Sequence, residues 1–148
     1  MTNNDKPGAV FARRHAAHLR LDSRGERLAC RLLKSLGMEV LTCNYGGRRG
    51  EIDIVARDGS VLCFVEVKTR RRADRSRPAA AVTRTKKRRI VRTAERYFRQ
   101  IGHPPVVYRF DIVEIVVSGR RVKGSWHWPN TFSGEDAGRP THRPFAVF

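Results

Sequence analysis

Residues 51–68, Glu51-Ile52-Asp53-Ile54-Val55-Ala56-Arg57-Asp58-Gly59-Ser60-Val61-Leu62-Cys63-Phe64-Val65-Glu66-Val67-Lys68, decide the fold of this chain. Two runs rich in β-branched and apolar residues flank Asp58-Gly59, a dipeptide suited to a two-residue hairpin turn. The stretch predicts an antiparallel hairpin with Asp58 and Gly59 in the loop, Arg57 paired with Ser60, Glu51 opposite Glu66 and Asp53 opposite Phe64. Alternation sends Ile52, Ile54, Ala56, Val61, Cys63, Val65 and Val67 to one apolar face that must lie on the core. The other face is apolar near the turn, with Val55, Leu62 and Phe64, and further out carries Asp53, Glu51, Glu66 and Lys68.

Working outward, Ser23-Arg24-Gly25-Glu26 reads as a capping box. Leu28, Ala29, Leu32, Leu33 and Leu36 follow at helical spacing, with Gly37 as the stop. Met38 to Tyr45 reads as a strand, and Gly46-Gly47-Arg48-Arg49-Gly50 as a glycine-rich connection. Beyond the hairpin, a basic loop with Pro78 leads to a helix from about Thr83 to Gln100, with Ile90, Val91, Ala94, Tyr97, Phe98 and Ile101 as its apolar stripe. Gly102 and Pro104-Pro105 end it. Val106 to Val117 reads as a strand, Ser118-Gly119 as a turn, and Val122 to Trp128 as a weaker strand. The order helix, three strands, helix, two strands predicts an α/β fold, a mixed central sheet whose antiparallel hairpin is flanked by helices. Residues 1–20 read as a flexible basic arm, 21–132 as the domain, and 133–148 as a disordered tail in which Phe145 to Phe148 could dock.

The chain has 148 residues, and Lys plus Arg number 31 against 14 acidic residues, a net charge of +17, with a pI near 11.3. Between Lys68 and Arg99 stand fourteen Lys or Arg and only two acids, Asp74 and Glu95. A sign-balanced solvated helix face alternates Glu with Lys, and this segment does not. It also lacks the apolar face that an interfacial membrane helix buries, so the expected partner is nucleic acid. No run approaches the roughly 18 apolar residues of a membrane span, and the polar N-terminus lacks a signal peptide's apolar segment; the expected location is the cytoplasm. Cys30, Cys43 and Cys63 are few and without CxxC spacing, and read as reduced, buried thiols.

Like charges opposed on a sheet repel, so the carboxylates of the hairpin imply a cation between them. In the predicted register Asp53 and Glu66 are diagonal neighbours with backbones about 7 to 8 Å apart, a gap that two carboxylates can close on one ion. An all-oxygen donor set points to Mg²⁺ or Mn²⁺ rather than zinc. Lys68, two residues from Glu66, could orient or help deprotonate a water and offset phosphate charge. The alternative is an exposed sheet edge with a salt bridge from Lys68 to Glu66 or Glu51. An acidic cation site beside a cationic surface favours phosphodiester hydrolysis, which needs both. Protonation of these acids below about pH 5 is expected to release the metal.

Gly50-Glu51-Ile52-Asp53 and Phe64-Val65-Glu66-Val67-Lys68-Thr69-Arg70 resemble the signature of the YraN-like family of bacterial proteins of uncharacterised role. That family looks like a small member of the restriction-endonuclease-like nuclease superfamily, whose motif is an Asp followed by Glu-x-Lys. Gly25-Glu26 with Ala29, Ala81-Val82-Thr83 with Lys86, and Arg109-Phe110-Asp111-Ile112-Val113 extend the resemblance over roughly Arg24 to Val116. The resemblance implies Asp53 and Glu66 as metal ligands and Lys68 as the water-orienting or electrostatic group. It makes Glu26 an auxiliary acid, with its helix-capping job as the alternative, and Glu51 could serve in that role instead. Lys86 matches a position that can reach the scissile phosphate, although among Lys87, Arg88 and Arg89 a generic phosphate contact fits equally. Arg70 and Arg71 complete the expected nucleic-acid contacts.

The expected function is a metal-dependent endonuclease, with DNA, branched DNA included, favoured by analogy with the superfamily. The alternative is a nucleic-acid binding module that kept the fold without turnover. A homodimer would give two sites for the two cuts a branch needs, but no apolar patch forces one. Arg109 and Asp111 read as a structural ion pair, His103 and His127 as loop and surface residues, and Trp126 and Trp128 as core packing rather than base stacking.

Overall fold

The computed structural model describes residues 23–71 and 82–137. The expected arm at 1–20, the loop around Pro78 and the stretch 138–148 lie outside the described residues. Helix α1 covers residues 23–35, followed by strands β1 (Glu39–Gly47), β2 (Gly50–Asp58) and β3 (Val61–Arg71), helix α2 (Arg84–Gln100), and strands β4 (Val107–Ser118) and β5 (Arg121–Phe132). The five strands form one sheet in sequence order, antiparallel except for the parallel pair β3 and β4, which α2 connects. This mixed α/β architecture is the one expected, and is consistent with a nuclease-like fold. Among the described residues no helix is long and apolar enough to cross a membrane.

Both helices end as their glycines dictate. Gly37 sits at φ +85, while Met38 N–H donates to Leu33 O and Gly37 N–H to Lys34 O, both at 3.0 Å, the paired bonds that satisfy the last carbonyls of a helix. Gly102, at φ +81, does the same for α2 with His103 N–H on Phe98 O at 2.8 Å. Thr83 caps the start of α2, its Oγ1 accepting from Lys86 N–H at 3.2 Å.

The sheet is covered on both faces. Ala29 and Leu33 of α1 pack with Ile54, Ala56, Cys63, Val65, Val113, Ile115 and Val117. On the opposite face Ile90, Val91, Ala94 and Phe98 of α2 pack with Val55, Leu62, Phe64, Phe110 and Ile112. Phe64 is the hub of that second core, edge-on to Tyr97, Phe98 and Tyr108 at ring centroid distances of 5.8, 5.6 and 6.2 Å, and tilted against Phe110 at 5.6 Å.

The hairpin exists, but its register differs from the expected one. Asp58 pairs with Val61 and Ile54 with Val65, so the loop is Gly59-Ser60, with Gly59 at φ +57. Asp58 stays in the strand, where its carboxylate holds the Arg109 guanidinium at 3.0 Å. The alternation also fails at one place: Ile52 belongs to the α2 core with Val55, not to the α1 core with Ile54. Between the pairs Cys43–Ile54 and Tyr45–Ile52 stand Asn44 and Asp53, and Asn44 adopts φ +52, a left-handed conformation that asparagine tolerates better than most residues. Both strands invert their faces there.

Other expectations need correction. Residues 133–137 are not a disordered tail: Ala137 is fully buried under α2, and its carbonyl accepts from Arg88 Nε at 2.8 Å. Strand β5 runs on past Trp128 to Phe132, which pairs with Phe110 after a bulge at residues 129–131. Trp126 and Trp128 are 48% and 42% exposed, because β5 is the outer strand and the core under α2 stops at Ile112 and Phe132. His127 is instead the inward residue, its Nε2 at 2.8 Å from Asp111. Arg109 and Asp111 do form the expected ion pair, at 3.0 Å. Cys63 alone is a buried thiol; Cys43 is exposed and Cys30 half-buried, with their sulfurs 3.5 Å apart.

Replacing Phe64 with Ala removes the ring that joins α2 to β3 and β4 and is expected to cost about 3–5 kcal/mol of stability. Denaturant unfolding measures it, and a loss below about 1 kcal/mol would contradict the assignment of Phe64 as the hub.

Candidate active site

Where the two strands invert, the sheet opens into a cavity of about 540 Å³ lined by Ser23, Glu26, Asn44, Glu51, Asp53, Glu66, Val67, Lys68, Thr69 and Lys86. Strands β2 and β3 supply three of the carboxylates, Glu51, Asp53 and Glu66, while α1 brings Glu26 and the first turn of α2 brings Lys86. The β2–β3 ladder ends at Ile54–Val65. One step further, the Val67 N–H is taken by the Asp53 side chain, donating to Oδ2 at 2.7 Å. Asp53 and Glu66 are therefore brought together by the end of the ladder, rather than by the diagonal approach the other register implied.

Glu66 is only 4% exposed and lies on the central strand β3. Its Oε1 meets two ammonium groups, Lys68 Nζ at 3.2 Å and Lys86 Nζ at 3.4 Å. Its Oε2 is buried and has no hydrogen-bond partner among the described residues. A buried carboxylate oxygen left unpaired is costly. The expected alternative of a Lys68–Glu66 bridge is thus half met: the bridge is there, but on a central strand and not at an exposed edge.

Burial and the neighbouring Glu66 charge push the Asp53 carboxyl up from the ordinary carboxylate range to about 7, against the opposing pull of the Val67 hydrogen bond and of Lys86. Glu26 adds to the upward push. In all, four carboxylates (Glu26, Glu51, Asp53, Glu66) face two ammonium groups (Lys68, Lys86) across the cavity, a surplus of two negative charges when every group is ionised. A bound dication would balance it. Any such cation must displace the proton of Asp53, so the pH window for its release moves from the expected value of about 5 up toward neutrality.

The remaining sequence-predicted residues divide. Glu26 and Glu51 line the cavity, Glu51 from the exposed rim. Lys86 points into it, whereas Lys87 lies over the Phe132 ring, 5.5 Å from its centroid. Arg88 and Arg89 are exposed on α2, and Arg71 is exposed at the end of β3. Arg70, expected among the nucleic-acid contacts, is turned inward: its side chain is 5% exposed and its Nε is held by Glu114 at 3.2 Å. Sequence reasoning missed Asn44, Thr69 and the packing role of Gly25. A Cβ at Gly25 would lie 2.4 Å from Thr69 Oγ1, so only glycine lets α1 approach β3 closely enough to bring Glu26 to the cavity. A glycine inside a helix, where it costs about 1 kcal/mol relative to Ala, was the available signal.

The folded protein holds a proton on Asp53 that the unfolded chain has already lost between about pH 4 and pH 7. Stability therefore falls as pH rises through that window, and the penalty is complete above it. In metal-free buffer Asp53→Asn is expected to melt at least about 5 °C above the wild type at pH 8 and level with it at pH 4. A difference independent of pH, read by thermal unfolding, would contradict this reading.

A family model described as uncharacterised protein family UPF0102 matches residues 25–115. A UPF0102 protein of Chlorobaculum tepidum is 41% identical over 96 residues, covering 65% of this chain and 74% of its own. One from Symbiobacterium thermophilum is 44% identical over 96 residues, 65% of this chain and 81% of its own. Another, from Rhodococcus jostii, is 44% identical over 102 residues, 69% of this chain and 86% of its own. The matched span contains most of α1, every cavity-lining residue except Ser23, and α2, and ends within β4.

Proposed function

We propose, from the premise that this chain belongs to the uncharacterised protein family UPF0102, the YraN family of the sequence resemblance, that it is a divalent-metal-dependent endonuclease of nucleic acid, DNA first. The observation that carries this reading is the buried Glu66 carboxylate, with one oxygen on two lysines and the other unpartnered among the described residues, beside Asp53. A purely structural ion pair would have used both oxygens.

The residues fit Mg²⁺ or Mn²⁺. Among the described residues no three His, Cys, Asp or Glu side chains converge as a self-sufficient metal site, which disfavours a protein-enclosed ion. Mg²⁺ is commonly bound through one or two carboxylates, with water and substrate phosphate completing its shell, and Asp53 and Glu66 would be those two. When bound, the cation supplies Lewis-acid stabilisation of phosphoryl oxygens and acidifies water. The chain's own residues do the rest. A water oxygen attacks phosphorus in line, the new P–O bond forms as the ester bond to the leaving strand breaks, and Lys68 orients that water and offsets the developing charge. Lys86 offsets phosphate charge from the other side. Arg88 and Arg89, exposed on the same helix as Lys86, hold the backbone of the nucleic acid.

With Mg²⁺ or Mn²⁺, cleavage of labelled branched and linear DNA is expected from the wild type. Asp53→Ala is expected to abolish cleavage while binding stays equal, or tightens above about pH 7, where an anionic repulsion is removed. Lys68→Ala should lower the rate on the order of a hundredfold or more. A wild type that binds DNA tightly and never cuts would mean a nuclease fold reused as a non-catalytic binding module.

Replacing Arg88 and Arg89 together with Ala is expected to reduce the magnitude of the salt slope of DNA binding by about one to two contacts. An unchanged slope, measured by anisotropy across a salt series, would remove α2 from the binding surface.

A further inference from the structure

The chain has two tryptophans, and both stand exposed on β5, outside the residues that the family model matches. Through the sheet register Trp128 lies in the row of Ile112 and Glu66, and Trp126 in the row of Glu114 and Lys68. Opposed residues share a face, so both indoles stand on the α2 side of the sheet, the side to which Glu66 and Lys68 point. Two strand spacings of about 4.8 Å separate β5 from β3, which puts the tryptophans about 10 Å from the site residues of the same rows. That is about three steps of a nucleic-acid strand at about 3.4 Å each.

The Trp126 ring is held flat. A Cβ added to Gly124 would lie 2.3 to 3.0 Å from three atoms of the Trp126 six-membered ring, so one side of the indole covers the bare backbone of Gly124 and the other is open. An edge strand gains nothing in solubility from two open indoles. The hairpin that carries them holds Arg120, Arg121 and Lys123, all exposed, and the chain as a whole is strongly cationic. Flat aromatic rings among cations are what unpaired bases stack on, whereas an intact duplex hides its base faces.

We propose that Trp126 and Trp128 form a stacking platform for unpaired bases of the strand whose phosphate lies at Asp53 and Glu66, so that the substrate is a single-stranded or locally unpaired segment. This rests on the hydrolytic reading of the site, and binding can be measured apart from it. Because the two tryptophans are the only ones in the chain, their fluorescence reports on the platform directly.

Titration of the full chain with oligo-dT in the presence of EDTA is expected to quench that fluorescence. In parallel, anisotropy of labelled oligo-dT should show affinity losses of about 5- to 150-fold for Trp126→Ala and Trp128→Ala, with affinity for a blunt duplex unchanged. Gly124→Ala, which displaces the Trp126 ring without deleting it, should weaken single-strand binding in the same direction. Binding seen by anisotropy without quenching, or tryptophan variants that bind oligo-dT as the wild type does, would overturn the platform. So would equal losses on single strand and duplex, or a loss of self-association in place of strand binding. Quenching that persists while the wild type fails to cleave with Mn²⁺ would uphold the platform and overturn the hydrolase.

Discussion

Two carboxylates kept side by side against their own repulsion set the terms for the rest of this molecule. Asp53 and Glu66 meet where the β2–β3 ladder ends, one largely buried with a proton favoured up to neutrality, the other buried with one oxygen unpaired among the described residues. A protein tolerates such an arrangement only if the surrounding structure over-determines it. The supports are specific: the Val67 N–H fixes Asp53, and Lys68 and Lys86 fix one oxygen of Glu66.

Those supports come from both layers of the fold. Leu33 and Ala29 anchor α1 to one face, and Gly25 lets the helix press on Thr69, bringing Glu26 to the rim. On the other face the Phe64 cluster anchors α2, and Thr83 caps the turn that delivers Lys86. The left-handed Asn44 opposite Asp53 inverts both strands and opens the cavity between the layers. Stability of the two cores and strain at the site thus meet on two strands, β2 and β3, and the cores hold the carboxylates where isolated strands would let them part.

Much of this was legible in the residues, for identifiable reasons. Period-two and period-3.6 patterns marked every described strand and helix, because each buries a face. The juxtaposition of Asp53, Glu66 and Lys68 was also readable, since an error of two residues in register leaves side-chain parity intact. What was not legible depended on tertiary partners. Asp58 was drawn out of the predicted turn by Arg109, a residue 51 positions away. Ile52 changed faces because Asn44 on another strand broke the alternation. Arg70 reads from sequence as one more surface cation, and only Glu114 on β4 turns it inward. The tryptophans looked like core from their alternation, and only the position of β5 at the sheet's edge made them surface.

Under the proposed function Asp53 and Glu66 would hold one divalent cation between them. The decisive experiment is calorimetric titration of Mn²⁺ into the wild type, repeated in buffers of different ionisation enthalpy. One site is expected, lost in Asp53→Ala, with about one proton released per ion near pH 6 and close to none above about pH 8. Absence of binding, binding unchanged in Asp53→Ala, or a proton count that does not vary with pH would contradict it.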